Sequence, residues 1–165
     1  MKRSLLLALL GVSLAAMPAR AQEPVVGAPD ADALFTSANA TLNRNKQAAY
    51  HIQRDLLEAG HWELADQWLT ERYIQHNPNA KSGRAGVVAF FTQVLKVQPK
   101  PIPAKLSQQV VAVVAEGDYV VIITPRTMKD AKDPTKTYTT SWFDMWRFVD
   151  GKADEHWDGA TLMNQ

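Results

Sequence analysis

Three prolines in five residues, Pro99, Pro101 and Pro103, divide this chain into two parts with different hydrophobic periods. No helix continues through such a run, because each proline lacks a backbone donor and clashes with the preceding turn. Before it, apolar residues recur at helical spacing. Ala49, Ile52, Leu56 and Leu57 predict a helix over Lys46 to Ala59, stopped by Gly60. Trp62, Leu64, Ala65, Trp68 and Leu69 predict a second short helix. Val87, Val88, Phe90, Phe91, Val94 and Leu95 predict a third over Gly83 to Val97. After the prolines the pattern is that of strands: Leu106 to Glu116, a Gly117-Asp118 turn, Tyr119 to Thr124, a polar loop from Pro125 to Thr137, then Tyr138 to Val149 and Lys152 to Leu162. Helices followed by a run of antiparallel strands mean an α+β fold, three helices against one curved sheet, forming a cone with an open end.

The extreme N-terminus does not belong to this pattern. Lys2 and Arg3, an apolar run from Leu5 to Ala16 and the small-x-small triplet Ala19-Arg20-Ala21 read as a secretory signal peptide over residues 1–21, cleaved after Ala21. The expected location is therefore periplasmic or secreted, with no stable membrane insertion after cleavage. Residues 22–44 read as a flexible or partly helical lead-in and 45–165 as the single folded domain. The whole chain holds 18 Lys+Arg against 17 Asp+Glu. Loss of Lys2, Arg3 and Arg20 leaves acids in slight excess, so no basic stripe remains and nucleic acid is not expected as a partner. Cysteine is absent, which excludes disulfides and thiolate chemistry. The four histidines show no short metal-ligand spacing, and no metal or other cofactor is expected.

The residues able to do chemistry gather in the last hairpin. Asp144 lies within an aromatic run (Trp142, Phe143, Trp146, Phe148), and His156 and Asp158 lie on the returning strand. Charged groups among aromatics are paired or used. Which of them share a face depends on the turn at Asp150-Gly151. A two-residue turn pairs Phe143 with Asp158 and places Asp144 on the opposite face. A three-residue loop with a bulged glycine pairs Asp144 with His156 and points Asp144, His156 and Asp158 the same way. Asp-Gly suits both; the bulged register is preferred because it collects three ionisable groups in one pocket, walled by Trp142, Trp146 and Phe148. There one aspartate acts as general base and the other, or His156, holds the proton. Upstream, Tyr73-Ile74-Gln75-His76-Asn77-Pro78 follows the second helix and supplies candidate substrate contacts in Tyr73, His76 and Asn77. The basic stretch from Arg126 to Lys136 is either solvated or a screen at the pocket mouth.

That hexapeptide, Gly83 and Gly86 ahead of Phe90-Phe91, Gly117-Asp118-Tyr119-Val120-Val121, Phe143-Asp144 to Arg147, Asp150-Gly151-Lys152 and Glu155-His156-Trp157-Asp158 occur in an order and spacing that resemble the SnoaL-like polyketide cyclase group of the nuclear transport factor 2-like superfamily. The resemblance spans roughly Lys46 to Gly159. It implies a cone-shaped α+β barrel, a homodimer formed through the sheet and chemistry without a cofactor. It also implies that Asp158 is the acid/base of an aldol condensation, that Asp144 supports it, and that Asn77 and His76 form the opposite wall. Relatives often carry a histidine on the strand that here runs from Tyr119 to Arg126, where this chain has none. The expected function is an exported, cofactor-independent acid/base enzyme working next to a carbonyl in a small apolar molecule by aldol-type cyclisation, isomerisation or dehydration. The alternatives are a periplasmic module that binds such a molecule without turnover, and a structural dimer presenting Phe143, Met145, Val149 and Trp157.

Overall fold

The computed structural model describes residues 23–163. The expected signal peptide and its cleavage site lie outside them. The lead-in is pinned to the fold: the Val25 N–H donates to Thr139 Oγ1 at 2.8 Å, Ala28 N–H donates to Val110 O at 2.7 Å, and a single 3-10 turn, Asp32–Phe35, buries Phe35 completely. Helix α1 (Ala40–His51) starts earlier than the apolar spacing predicts. Asn39 caps it, its side-chain oxygen accepting from the N–H groups of Thr41 and Leu42 at 3.0 and 3.1 Å. It continues as π-helical turns over Ile52–Glu58, which widen the spiral where Gln53 and Leu56 face inward. Gly60 ends it at φ +79°, a conformation that glycine adopts without strain. A 3-10 turn (Trp62–Leu64) and α2 (Ala65–Trp68) follow, and α3 (Arg84–Ala89) runs on as a π segment to Val94.

The sheet consists of β1 (Leu69–Gln75), β2 (Ala112–Glu116), β3 (Tyr119–Lys129), β4 (Thr137–Val149) and β5 (Lys152–Trp157), in the order β1-β5-β4-β3-β2. The α+β class with a curved sheet packed on N-terminal helices holds. Two features refine it. Leu69 to Gln75 form a strand instead of a helix end and loop, and this strand lies parallel to β5, so the sheet is mixed. The order is also linear, with β1 and β2 as edges, so the sheet is open. Strand β3 runs five residues beyond Thr124, through Pro125. There β2 has already ended, so no neighbour on that side needs the missing N–H. The core lies between helices and sheet, with Leu56, Leu69, Val120, Ile122, Trp146 and Phe148 all nearly inaccessible to solvent.

The hairpin register differs from the preferred one. The turn has two residues, Asp150 and Gly151, at φ +50° and +79°, and Val149 pairs with Lys152. The bulge sits further along, in β5: Phe148 pairs with Ala153, and Arg147 pairs with Glu155. Asp154 is the extra residue. It restores the parity that the tight turn alone would have lost, so His156 pairs with Trp146 on the inner face. The bulge is held from outside. The Asp154 carboxylate accepts from Thr70 Oγ1 at 2.8 Å and from the guanidinium groups of Arg72 and Arg147.

Candidate functional site

The concave face of the sheet and the helices enclose a cavity of about 300 Å³. Most of its wall is apolar, with Leu56, Leu69, Val87, Phe90, Trp142 and Trp146 among the lining side chains. Gln53 and Gln108 are polar lining residues from the helical side, and the ionisable groups come from the sheet, brought together by three segments. Strand β4 supplies Asp144, strand β5 and the residue after it supply His156 and Asp158, and β1 with its following turn supplies Tyr73, Gln75 and Asn77. One donor atom from each of Asp144, His156 and Asp158 lies within 4.8 Å of the others.

The hydrogen bonds fix how these groups are oriented. Gln75 Oε1 accepts the backbone N–H of Asn77 at 3.0 Å, which identifies it as oxygen. His156 Nδ1, 2.8 Å from the same oxygen, is therefore a donor. That leaves His156 Nε2 facing Asp144 Oδ1 at 3.2 Å. A proton on Nε2 would be donated to that carboxylate. The imidazole stacks on the Trp146 ring, with centroids 4.9 Å apart, and is 6 % exposed.

Asp158 belongs to a second network. Its Oδ2 accepts from Asn77 Nδ2 at 2.7 Å and its Oδ1 from the Ala160 N–H at 2.9 Å. The Asn77 amide is oriented by Asn79, whose backbone N–H and side-chain Nδ2 both donate to Asn77 Oδ1 at 2.9 and 3.0 Å. Asn79 also ties this turn to the segment after β5, through Thr161 O and the Met163 N–H. Tyr73 is 4 % exposed and accepts from the Trp146 indole N–H at 3.2 Å. Burial pushes its phenol well above the ordinary range. The Trp146 hydrogen bond opposes that shift without cancelling it, and the charges of Asp144 and Asp158 add to it. Tyr73 therefore remains a neutral hydroxyl with its own proton to donate.

The structure thus gathers Asp144, His156, Asp158, Asn77, Tyr73, Trp142 and Trp146 at one cavity. It places His76 elsewhere. That imidazole is exposed on the other face of the sheet, stacked on Trp157 at 5.0 Å, with Nε2 2.9 Å from Glu155 Oε1. The expected contact between His76 and a ligand in the cavity is not present, because alternation along β1 and into its turn sends Gln75 and Asn77 inward and His76 outward. The sequence pattern alone does not single out Gln75, Asn79, Gln53 or Gln108. The strand period of Tyr73-Ile74-Gln75 is the signal that would have found Gln75. Among the described residues, Asp144, His156 and Asp158 form a set that could also hold a metal ion. The His156 tautomer suits that use, with Nδ1 bound to Gln75 and Nε2 turned to the carboxylates.

A family model described as SnoaL-like domain matches residues 50–156. No curated protein matches the chain. Among solved structures, a protein of Acidithiobacillus ferrooxidans assigned by name as a polyketide cyclase is 18 % identical, with a TM-score of 0.52 over 74 % of this chain and 89 % of the other. A protein of Jannaschia sp. CCS1, assigned by name as a SnoaL-like polyketide cyclase, is likewise 18 % identical, with a TM-score of 0.51 over 75 % of this chain and 91 % of the other. At such identity the likeness is one of fold.

Proposed function

The chain belongs to the SnoaL-like family, and on that footing we propose that it is an acid/base enzyme acting next to a carbonyl group in a small apolar molecule. One observation carries the reading: two carboxylates and an imidazole converge on one side of a cavity walled largely by apolar and aromatic side chains, beside the neutral Tyr73 phenol. Asp158 removes a proton from the carbon next to the carbonyl and becomes the acid. The enolate oxygen that forms accepts the Tyr73 O–H. Attack of the enolate carbon on a second carbonyl of the same molecule forms the new carbon–carbon bond, and the resulting alkoxide takes a proton held between His156 and Asp144. Asp158 then returns its proton to that pair, and the cycle closes. Isomerisation uses the same first step, with the proton returned to a different carbon. Asn77 holds the base in position, and Trp142 and Trp146 supply apolar wall.

The test is proton–deuterium exchange by NMR on a panel of enolisable ketones and esters. Exchange at the carbon next to the carbonyl is the expected result; a broad panel without exchange would favour a module that binds and does not turn over. Dialysis against a chelator is expected to leave the exchange rate unchanged. Loss of exchange, restored by adding zinc or manganese, would instead make Asp144, His156 and Asp158 metal ligands.

We further place the mature protein outside the cytoplasm, beginning at Gln22, as a homodimer. Support comes from the signal-like N-terminus and from the exposed apolar side chains Val114, Tyr119 and Phe143 on the outer face of the sheet. Native and denaturing mass spectrometry of the exported protein checks both points. A monomer mass, or a chain that still begins at Met1, would remove the corresponding claim.

A further inference from the structure

A second concavity adjoins the cavity at Trp142. A groove of about 310 Å³, lined by Thr124, Pro125 and Arg126, shares Gln108 and Trp142 with it. The cavity and the groove therefore adjoin at one indole ring. The register explains why. On the inner face of the β3–β4 ladder, Ile122 lies opposite Asp144, Thr124 opposite Trp142 and Arg126 opposite Thr140. Arg126 thus stands on the same face as the catalytic cluster, four residues along β3, or about 13 Å at the usual strand rise.

The state of Arg126 sets it apart from the other arginines near carboxylates. Arg54, Arg72 and Arg147 each hold an acidic side chain. Arg126 holds none among the described residues, and none of its N–H groups donates to another protein group there. Its guanidinium carbon lies 4.4 Å from the centroid of the Trp142 ring. A cation seated on an indole is held in place while its N–H edges stay open for a planar anion such as a carboxylate. At the far end, Asp144 and Asp158 repel an anion. A ligand with one anionic end is therefore driven into a single orientation, its charge at Arg126 and its neutral carbonyl at Asp158.

Resting on the acid/base reading above, we propose that Arg126, stacked on Trp142, is an anion subsite, and that the substrates are elongated carbonyl compounds with a terminal carboxylate: an apolar body in the cavity, the reacting carbonyl beside Asp158, the carboxylate at the mouth. Arg126 acts here as a specificity-determining residue and takes no part in the proton transfers.

The test titrates the protein with phenyl ketones bearing a carboxylate at the end of a straight alkyl chain, in a series of chain lengths, against the methyl ester of each, followed by tryptophan fluorescence and NMR shifts. The best-fitting acid is expected to bind about tenfold or more tighter than its ester. That preference is expected to fall to near unity in Arg126→Gln, to survive in part in Arg126→Lys, and to weaken as salt is raised. Arg126 is exposed, so neither substitution threatens the fold. Equal binding of acid and ester, a preference that Arg126→Gln leaves intact, or no binding by any member of the series would each overturn the proposal. Binding with the acid preference but without deuterium exchange would leave the subsite standing and remove the enzyme; exchange equally fast on acid and ester would do the reverse.

Discussion

Asp158→Asn is expected to slow deuterium exchange into a ketone substrate by about 10²- to 10⁴-fold, the range that a positioned general base contributes. The protein should stay folded. The asparagine oxygen can still accept from Asn77, and the hydrogen bond lost at the Ala160 N–H costs about 1 kcal/mol. A thermal melt alongside the rate measurement separates a lost base from a lost fold. Asp144→Asn gives a different signature. It removes the carboxylate that would accept a proton from His156 Nε2, so the step that returns a proton to oxygen should suffer more than the exchange step. If Asp158→Asn retains exchange within about tenfold of wild type, the base lies elsewhere in the cavity and the assignment of roles fails.

Much of this site was legible before the fold was known, and what was not shows where local patterns stop informing. Asp144, His156 and Asp158 stood out because ionisable groups were set among aromatics, and they do share a face. The reason differs from the expected one. Asp-Gly was compatible with two turn lengths, and the structure takes the tight turn, which by itself would have sent His156 and Asp158 outward. An extra residue three positions after the turn, Asp154, reverses that parity. Nothing in the local sequence of β5 marks the bulge, because its stabilising partners, Thr70 and Arg72, lie on β1, more than eighty residues earlier. The misreading of β1 has the same origin. Leu69 fits the helical pattern of Trp62 to Trp68, and only its parallel pairing with β5 makes Leu69–Gln75 a strand. A helix end at Leu69 hides the strand alternation that separates Gln75 and Asn77 from His76. Asn79 was hidden for a related reason: its role is to join the turn after β1 to the segment after β5, a contact between positions far apart in the chain.

That dependence on Asp154 makes it the second site of large effect. Its side chain is 7 % exposed and receives one hydroxyl and two guanidinium groups. The Arg72 hydrogen bond, foremost, with those from Thr70 and Arg147, holds its carboxyl down to about 2 against the opposing effect of burial. A carboxyl depressed in the folded state stabilises the fold fully above its unfolded value, near 4, and loses that contribution as pH falls through about 2. Stability of the wild type is therefore expected to drop by about 2 kcal/mol between pH 4 and pH 2 on account of this one group. Asp154→Asn should flatten that part of the profile, which urea denaturation at a series of pH values would show. Asp154→Ala should cost about 2–4 kcal/mol at neutral pH, since Arg147 loses a charged partner and the bulge loses its anchor to β1. The two effects have different reach. Loss of charge alone affects stability, whereas loss of the anchor also frees β5 to slip by one residue, which would turn Glu155 toward the core and carry His156 out of the cavity. Asp154→Ala is thus expected to lower deuterium exchange even at temperatures where the protein remains folded, with Asp154→Asn less impaired because its amide can still accept from Thr70. An Asp154→Ala variant with wild-type exchange would show that burial of His156 against Trp146 alone fixes the register.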